Sequence, residues 1–232
     1  MKNKKSIFFI IVSVPFFILM VFTSIQIVSN SDLFFKKYFE ESNIYDKRGV
    51  SAEDATYVID ILVDYMEGKT KEIKLDRSVL GFTEFSERES LHMVDVRNIY
   101  SFFKTLRNIS CILYVGMLIY FVKKNRDEKL FKKSLISFIV SIFTFLGAII
   151  YIVLNFNEFW LLFHKVIFTN DLWALSFQND LMINVCSNEM FKILILSSFV
   201  IYIVLSIIWL SLLYIYEKKQ SVNKKYLTDV SG

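Results

Sequence analysis

The sequence predicts an all-α integral membrane protein: four transmembrane helices with a small, mostly helical extracytoplasmic cap. Three observations lead there. Mean hydropathy is +0.45, and 24 Phe stand beside one Pro and six Gly, a pattern that does not suit a water-soluble domain. Four stretches are apolar enough to be read as spans. The charges are partitioned, with some connecting segments basic and others acidic, as membrane topology demands.

The first span is SIFFIIVSVPFFILMVFTSIQIVS, residues 6–29. It follows a basic tail, residues 1–5, as a signal peptide would. Its apolar run is longer than a signal core, however, and no small-x-small site closes it, so it reads as an uncleaved anchor. The second span, residues 99–122, has a shorter uncharged part and carries Lys104 and Arg107 in its upper portion; both side chains are long enough to snorkel to an interface. The third and fourth spans, residues 134–154 and 191–216, again hold the roughly twenty apolar-rich residues that cross about 30 Å of hydrocarbon.

Charge placement sets the orientation. The tail of residues 1–5, the loop of residues 123–133 (six cations against two acids) and the tail of residues 217–232 are all basic, the mark of cytoplasmic segments. Residues 30–98 carry fifteen acids against ten bases. Both termini are therefore expected inside, with residues 30–98 and 155–190 outside. The net charge of +4 is then mostly a topogenic signal and calls for no nucleic-acid partner. Cys111 and Cys186 fall in a span and in an external segment, which argues against a disulfide between them, and neither has a cationic neighbour in sequence to activate it.

Two helix starts stand out in the first external segment. Ser51, followed by Asp54, resembles a capping box with Asp in place of Glu. Val58, Ile61, Leu62, Tyr65 and Met66 then form an apolar stripe, and Gly68 ends it. Residues 68–85 are left open, with KEIKLD a candidate short extended piece. Ser86 and Glu89 form a second capping box, from which a helix can run without Gly or Pro to Gly116, joining the external element to the second span. In the second external segment, aromatic residues including Phe156, Trp160 and Phe168 suit an interfacial belt.

The chain has two histidines, His92 and His164, one on each external segment. Glu89 and Asp95 lie three residues either side of His92, on its helical face. A carboxylate there can orient an imidazole and raise its pKa; Asn170 and Asp171 lie near His164 in sequence. Two imidazoles converging on an apolar pocket would make an acid–base site. From the residues alone two rivals stay open. One is a metal-dependent hydrolase using His92, Asp95 and His164, although no H-E-x-x-H is present. The other is a non-enzymatic assembly or sensor protein. No G-x-S-x-G elbow and no phosphate-cradling G-x-G-x-x-G occurs.

The motif F-S-x-R-E-x-x-H-M-x-D-V-R at residues 85–97, followed by F-H-x-x-x-F-x-N-D-x-W at residues 163–173, resembles the lipoprotein intramolecular transacylase family of bacterial integral membrane proteins. The likeness covers most of the chain. Departures fall at Ser176-Phe177 and Cys186-Ser187, where the family tends to carry D-P and a Pro before paired Phe. The resemblance implies transfer of the sn-2 acyl chain of a diacylglyceryl-modified lipoprotein to the α-amino group of its N-terminal cysteine. It implies His92 and His164 as the catalytic pair, at the outer leaflet of the bacterial plasma membrane. Such aminolysis needs no protein nucleophile, cofactor or metal, because nucleophile and ester belong to one molecule and holding them together supplies much of the rate. On this reading His92, with Asp95 behind it, is the general base. His164 stabilises the oxyanion and protonates the leaving oxygen, helped by Asn170 or Arg97; the reverse assignment stays open. Arg88, Arg97, Glu89, Asp171 and Trp173 are expected to support the site or bind substrate, the two arginines equally as structural partners of nearby carboxylates. The partners implied are the lipoprotein substrate and membrane lipid. Acyl-chain preference and oligomeric state are open at this stage.

Overall fold

The computed structural model describes residues 2–124 and 130–231. Every regular element among them is helical: α1 Lys2–Ser29, α2 Asp32–Glu41, α3 Ile44–Arg48, α4 Ala52–Glu67, α5 Glu87–Lys124, α6 Leu130–Leu154, α7 Phe156–Ile167, α8 Met182–Val185 and α9 Asn188–Ser231. The core of the expected basic loop, residues 125–129, lies outside the described residues.

The chain divides into two compact units. The first gathers the middle parts of the apolar helices: Met1–Ser24, Leu106–Ala148 and Ser198–Gly232. Its interior is aromatic and threaded with small polar groups. Phe145 meets Phe17 and Tyr202 edge-on at 6.0 and 5.1 Å. The Tyr202 hydroxyl bonds Ser141 Oγ at 2.5 Å, and Trp209 Nε1 donates to Tyr114 at 2.8 Å. Outward, Ile112, Phe143 and Ile215 are well over half exposed. Apolar surface outside and paired polar groups inside suit a bilayer, although Ser206 Oγ is buried with no partner among the described residues.

Two helices are long and apolar enough to cross a membrane unaided, α5 over Glu87–Tyr120 and α9 over Asn188–Val222. The expected four are reached when each of two bent pairs counts as one span: Ser13–Ser29 with Asp32–Glu41, bent by 61°, and Phe138–Leu154 with Phe156–Ile167, bent by 106°.

The second unit comprises Ile25–Thr105 with Ile149–Ser197. α4 packs against α2 and α8 and buries Ala55, Val58, Ile59, Leu62 and Tyr65. Ile61 and Met66 of the expected stripe stay only partly buried at its edge. Each large apolar side chain so covered contributes about 1.5–3 kcal/mol. The α4 cap forms, with Asp54 N donating to Ser51 Oγ at 3.0 Å. The shorter Asp alters the box: Asp54 Oδ2 accepts from the Ser51 hydroxyl at 2.9 Å, where Glu would reach the backbone. Gly68 closes α4 with φ of +81°, a conformation that disfavours a side chain.

The connector after Gly68 corrects one expectation. KEIKLD forms no strand; the lone β-bridge is Val79 with Phe82. Lys104, expected to be long enough to snorkel, has a protein partner. Its Nζ donates to Glu67 Oε2 at 2.5 Å, where Tyr100, Asn30 (2.6 Å) and Gln26 (3.1 Å) also converge. Burial pushes the Glu67 carboxyl up, but these four donors outweigh it and hold the group at about 2. The Glu67 carboxylate therefore ties the ends of α1 and α4 to the middle of α5.

Candidate functional site

α5 runs unbroken from Glu87 to Lys124, as the absence of breakers between the Ser86 box and Gly116 predicts. Its start is locked twice. Ser86 Oγ accepts from Glu89 N at 3.1 Å while Glu89 Oε2 accepts from Ser86 N at 2.7 Å, the reciprocal pair of a capping box. The other Glu89 oxygen accepts from Met182 N at 2.5 Å, and the Ser86 hydroxyl donates to Asp180 at 2.6 Å. Glu89 is fully buried, and burial raises its pKa against the pull of those N–H groups. Its task is thus to hold α5 to the start of α8, and no bond joins it to His92.

Arg88 extends the same grip. Its Nη1 donates to the Asp171 carbonyl at 2.7 Å and to the Ala174 carbonyl at 3.4 Å. The carboxylate partners expected for it are not used. Arg97 faces elsewhere: it bonds the Thr70 carbonyl at 3.3 Å and lies over the Tyr65 ring at 4.8 Å. Five residues beyond His92 on a 3.6-residue helix, its side chain leaves on another face, so Arg97 braces α4 and the connector and does not help the histidines.

The two histidines meet. His92 comes from the second turn of α5 and His164 from the last turn of α7, and their ring centroids are 6.2 Å apart. At that separation the two rings lie within reach of one small group. Each histidine is only 7% exposed. Around His164 stand Trp160 at 4.6 Å, Trp173 at 5.0 Å, Phe163 at 5.4 Å and Phe168 at 5.6 Å; Phe168 also covers His92 at 5.1 Å. The aromatic residues expected to line an interface are therefore, in part, the walls of the site. Along the opposite side of α7, Leu161, Leu162 and Val166 are exposed.

The hydrogen bonds of the two rings differ. His164 Nδ1 lies 2.7 Å from the Trp160 carbonyl. A carbonyl only accepts, so Nδ1 carries the hydrogen and Nε2 of the neutral ring keeps its lone pair. His92 Nδ1 is buried with no partner. Asp95 does not supply one; its Oδ2 accepts from Asn170 Nδ2 at 2.9 Å. Asn170 is held in turn by Trp173 Nε1 donating to its carbonyl at 2.8 Å. Asp95, Asn170 and Trp173 thus form a chain of contacts from α5 to the His164 ring.

Electrostatics reverses another expectation. The His92 pKa falls to about 4, through burial first and the neighbouring His164 second, with Asp95 opposing too weakly to matter. Burial also lowers that of His164, against the Trp160 carbonyl. Both rings are uncharged at neutral pH. Among the described residues no three His, Cys, Asp or Glu side chains gather as a metal ion would need. Cys186 is a free thiol pushed up to about 12 by burial. A cavity of about 410 Å³ lined by Tyr38, Arg48, Phe177 and Cys186 includes none of the expected site residues. What sequence reading missed is the Trp160 carbonyl; the four-residue spacing to His164 on one helix was its only signal. It missed Asp180 and Met182 as the far ends of the Ser86 and Glu89 bonds, which had none.

A family model described as the lipoprotein intramolecular transacylase Lit matches residues 8–191. Among solved structures, that of the membrane integral lipoprotein intramolecular transacylase Lit from Bacillus cereus is similar with a TM-score of 0.74 at 21% identity, over 97% of this chain and 100% of that one. A form of that protein with one histidine changed to arginine gives 0.75 at 21% identity, over 98% of this chain and 96% of that one. A form with a histidine changed to alanine gives 0.75 at 20%, over 97% of each. These likenesses speak to the fold. No curated protein matches the chain significantly.

Proposed function

This chain belongs to the lipoprotein intramolecular transacylase family, and from that membership we propose that it moves the sn-2 acyl chain of a diacylglyceryl lipoprotein to the α-amino group of the same molecule's N-terminal cysteine, giving the lyso-form, by acid–base catalysis at His92 and His164. The observation that carries the two-histidine reading is the pair of uncharged imidazoles 6.2 Å apart inside an aromatic enclosure.

The His164 tautomer favours the reverse of the two assignments left open by the sequence. The α-amino nitrogen, with a pKa of about 8 when free, attacks the ester carbonyl; an N–C bond forms and the carbonyl electrons move to oxygen. His164 Nε2, with its lone pair available, takes the proton from the attacking nitrogen. His92, whose buried Nδ1 has no partner among the described residues, donates a ring N–H to the oxyanion. The C–O bond then breaks, and the glycerol oxygen takes the proton from the His164 imidazolium. One proton has moved from nitrogen to oxygen, and nothing is consumed. The apolar walls suit an acyl chain and keep out the water that would hydrolyse the ester.

We read residues 30–98 and 155–190 as extracytoplasmic and both termini as cytoplasmic in the bacterial plasma membrane, which the charge partition supports. The histidines then lie at the outer leaflet, where the second partner is the lipid itself. Asp171, exposed and contributing its carbonyl to Arg88, belongs to the framework in this scheme. Substrate and product are isomers of equal mass, so the test is tandem fragmentation of a synthetic S-diacylglyceryl-cysteinyl peptide incubated with the purified protein. Fragments that place one acyl chain on nitrogen, lost in both His92→Ala and His164→Ala, are the expected outcome. Retention of that signal in either variant removes the two-histidine mechanism.

A further inference from the structure

Asp95 lies one turn beyond His92 on the same face of α5, yet it does not orient that ring. One carboxylate oxygen accepts from Asn170 Nδ2 at 2.9 Å, and no other hydrogen bond to Asp95 occurs among the described residues. No cation answers its charge. Arg88 is engaged by the Asp171 and Ala174 carbonyls, Arg97 by Thr70 and Tyr65, and Asp95 forms no ion pair among the described residues. The nearby imidazoles are both uncharged at neutral pH. The carboxylate is partly open and one of its oxygens is uncommitted, so a cation that comes within reach gains a charge-assisted hydrogen bond without displacing a protein partner. Its place is held firmly all the same: Asn170 is pinned by Trp173, whose ring lies 5.0 Å from that of His164.

The substrate brings a cation. With a pKa of about 8, its α-amino group is mostly ammonium at neutral pH. We propose that Asp95, steadied by Asn170, receives the α-ammonium of the diacylglyceryl cysteine and so selects lipoproteins whose N-terminus is still unacylated. This rests on the acyl transfer to the α-amino group set out above. Asp95 holds the ammonium, whereas the neutral amine is what attacks. The contact is therefore made in the ground state and loosens before the transition state, so its removal raises KM and kcat together.

The test uses the full chain in detergent with two probes: a synthetic S-diacylglyceryl-cysteinyl peptide bearing a free α-amine, and its N-acetyl analogue as a competitive ligand. The wild type is expected to favour the free-amine probe roughly 10- to 100-fold, the range of one charge-assisted hydrogen bond. Asp95→Asn raises KM by a similar factor, raises kcat with it, and binds both probes alike; Asp95→Glu restores the preference. A merely structural role for Asp95 would lower kcat or stability without touching the preference between the probes. The proposal is overturned if Asp95→Asn keeps the wild-type KM and preference, or if it lowers kcat at constant KM. Should Asp95→Asn fail to fold, equal wild-type affinity for the two probes overturns it just as well. If the wild type isomerises no lipopeptide at all, the transacylation reading falls first, an outcome distinct from product formation without amine selection.

Discussion

His92 and His164 share one aromatic enclosure but are held in different ways. His164 sits at the end of a short helix, its Nδ1 anchored to the carbonyl one turn back and its ring walled by four aromatic side chains. His92 sits on a helix locked to the second external segment by Ser86, Arg88 and Glu89, yet its own Nδ1 is unpartnered. One imidazole has its tautomer fixed and its surroundings complete. The other has a fixed backbone and an open hydrogen bond. On the proposed roles, the difference teaches that preparing a base and preparing a donor are separate problems: the base needs its far nitrogen occupied, and the donor needs an acceptor that only the reaction brings.

The strongest way to break this comparison is at His164. His164→Gln, which cannot take up a proton, is expected to be as inactive as His164→Ala, with kcat down about 10³- to 10⁴-fold, read as acyl transfer to nitrogen by tandem mass spectrometry. At His92 the two substitutions should part. His92→Ala costs about 10²- to 10³-fold, as loss of an oxyanion donor does, while His92→Gln, which keeps an N–H donor, recovers much of that loss. Equal behaviour of the two Gln variants would reverse or abolish the assigned roles.

Stability against acid sharpens the contrast further. His92 has its pKa lowered from 6.5 to about 4 in the folded chain. Between those values the unfolded chain binds a proton that the folded chain does not, so stability is fully present above pH 6.5 and is lost as the pH falls toward 4. The loss is on the order of 3 kcal/mol at most, and thermal unfolding in detergent followed between pH 7 and about 4 should show it flattened in His92→Gln. The smallest effect lies outside the site. Ser51→Ala removes the hydroxyl that caps α4 and is expected to cost about 1 kcal/mol, with the ratio of activities among the histidine variants unchanged.

Much of the fold was legible in the sequence because its signals are local. The Ser51 and Ser86 caps, Gly68 at the end of α4 and the unbroken passage from Glu87 into the span all follow from side chains acting within one turn of themselves. The meeting of His92 with His164 was expected only through the resemblance, since nothing local links residues on separate segments. The errors share a cause. Asp95 and Glu89 were assigned to His92 because they lie on its helical face, but tertiary partners, Asn170 and the Met182 N–H, claim both carboxylates. With no carboxylate bonded to it, the His92 imidazole responds to burial first and its pKa falls. Arg97 was placed beside the site by sequence order, and helix geometry turns it toward Tyr65.

Glu89 has one consequence of a different kind. One of its oxygens completes the start of its own helix, and the other binds a backbone group far downstream. During synthesis α5 leaves the ribosome well before residue 182 does, so the carboxylate that begins the helix waits half-used for its second donor. The junction of α5 with α8 is thus completed late in synthesis, when residue 182 arrives. A glutamine here, with a single acceptor oxygen, would leave one of the two N–H groups stranded whichever way its amide turned.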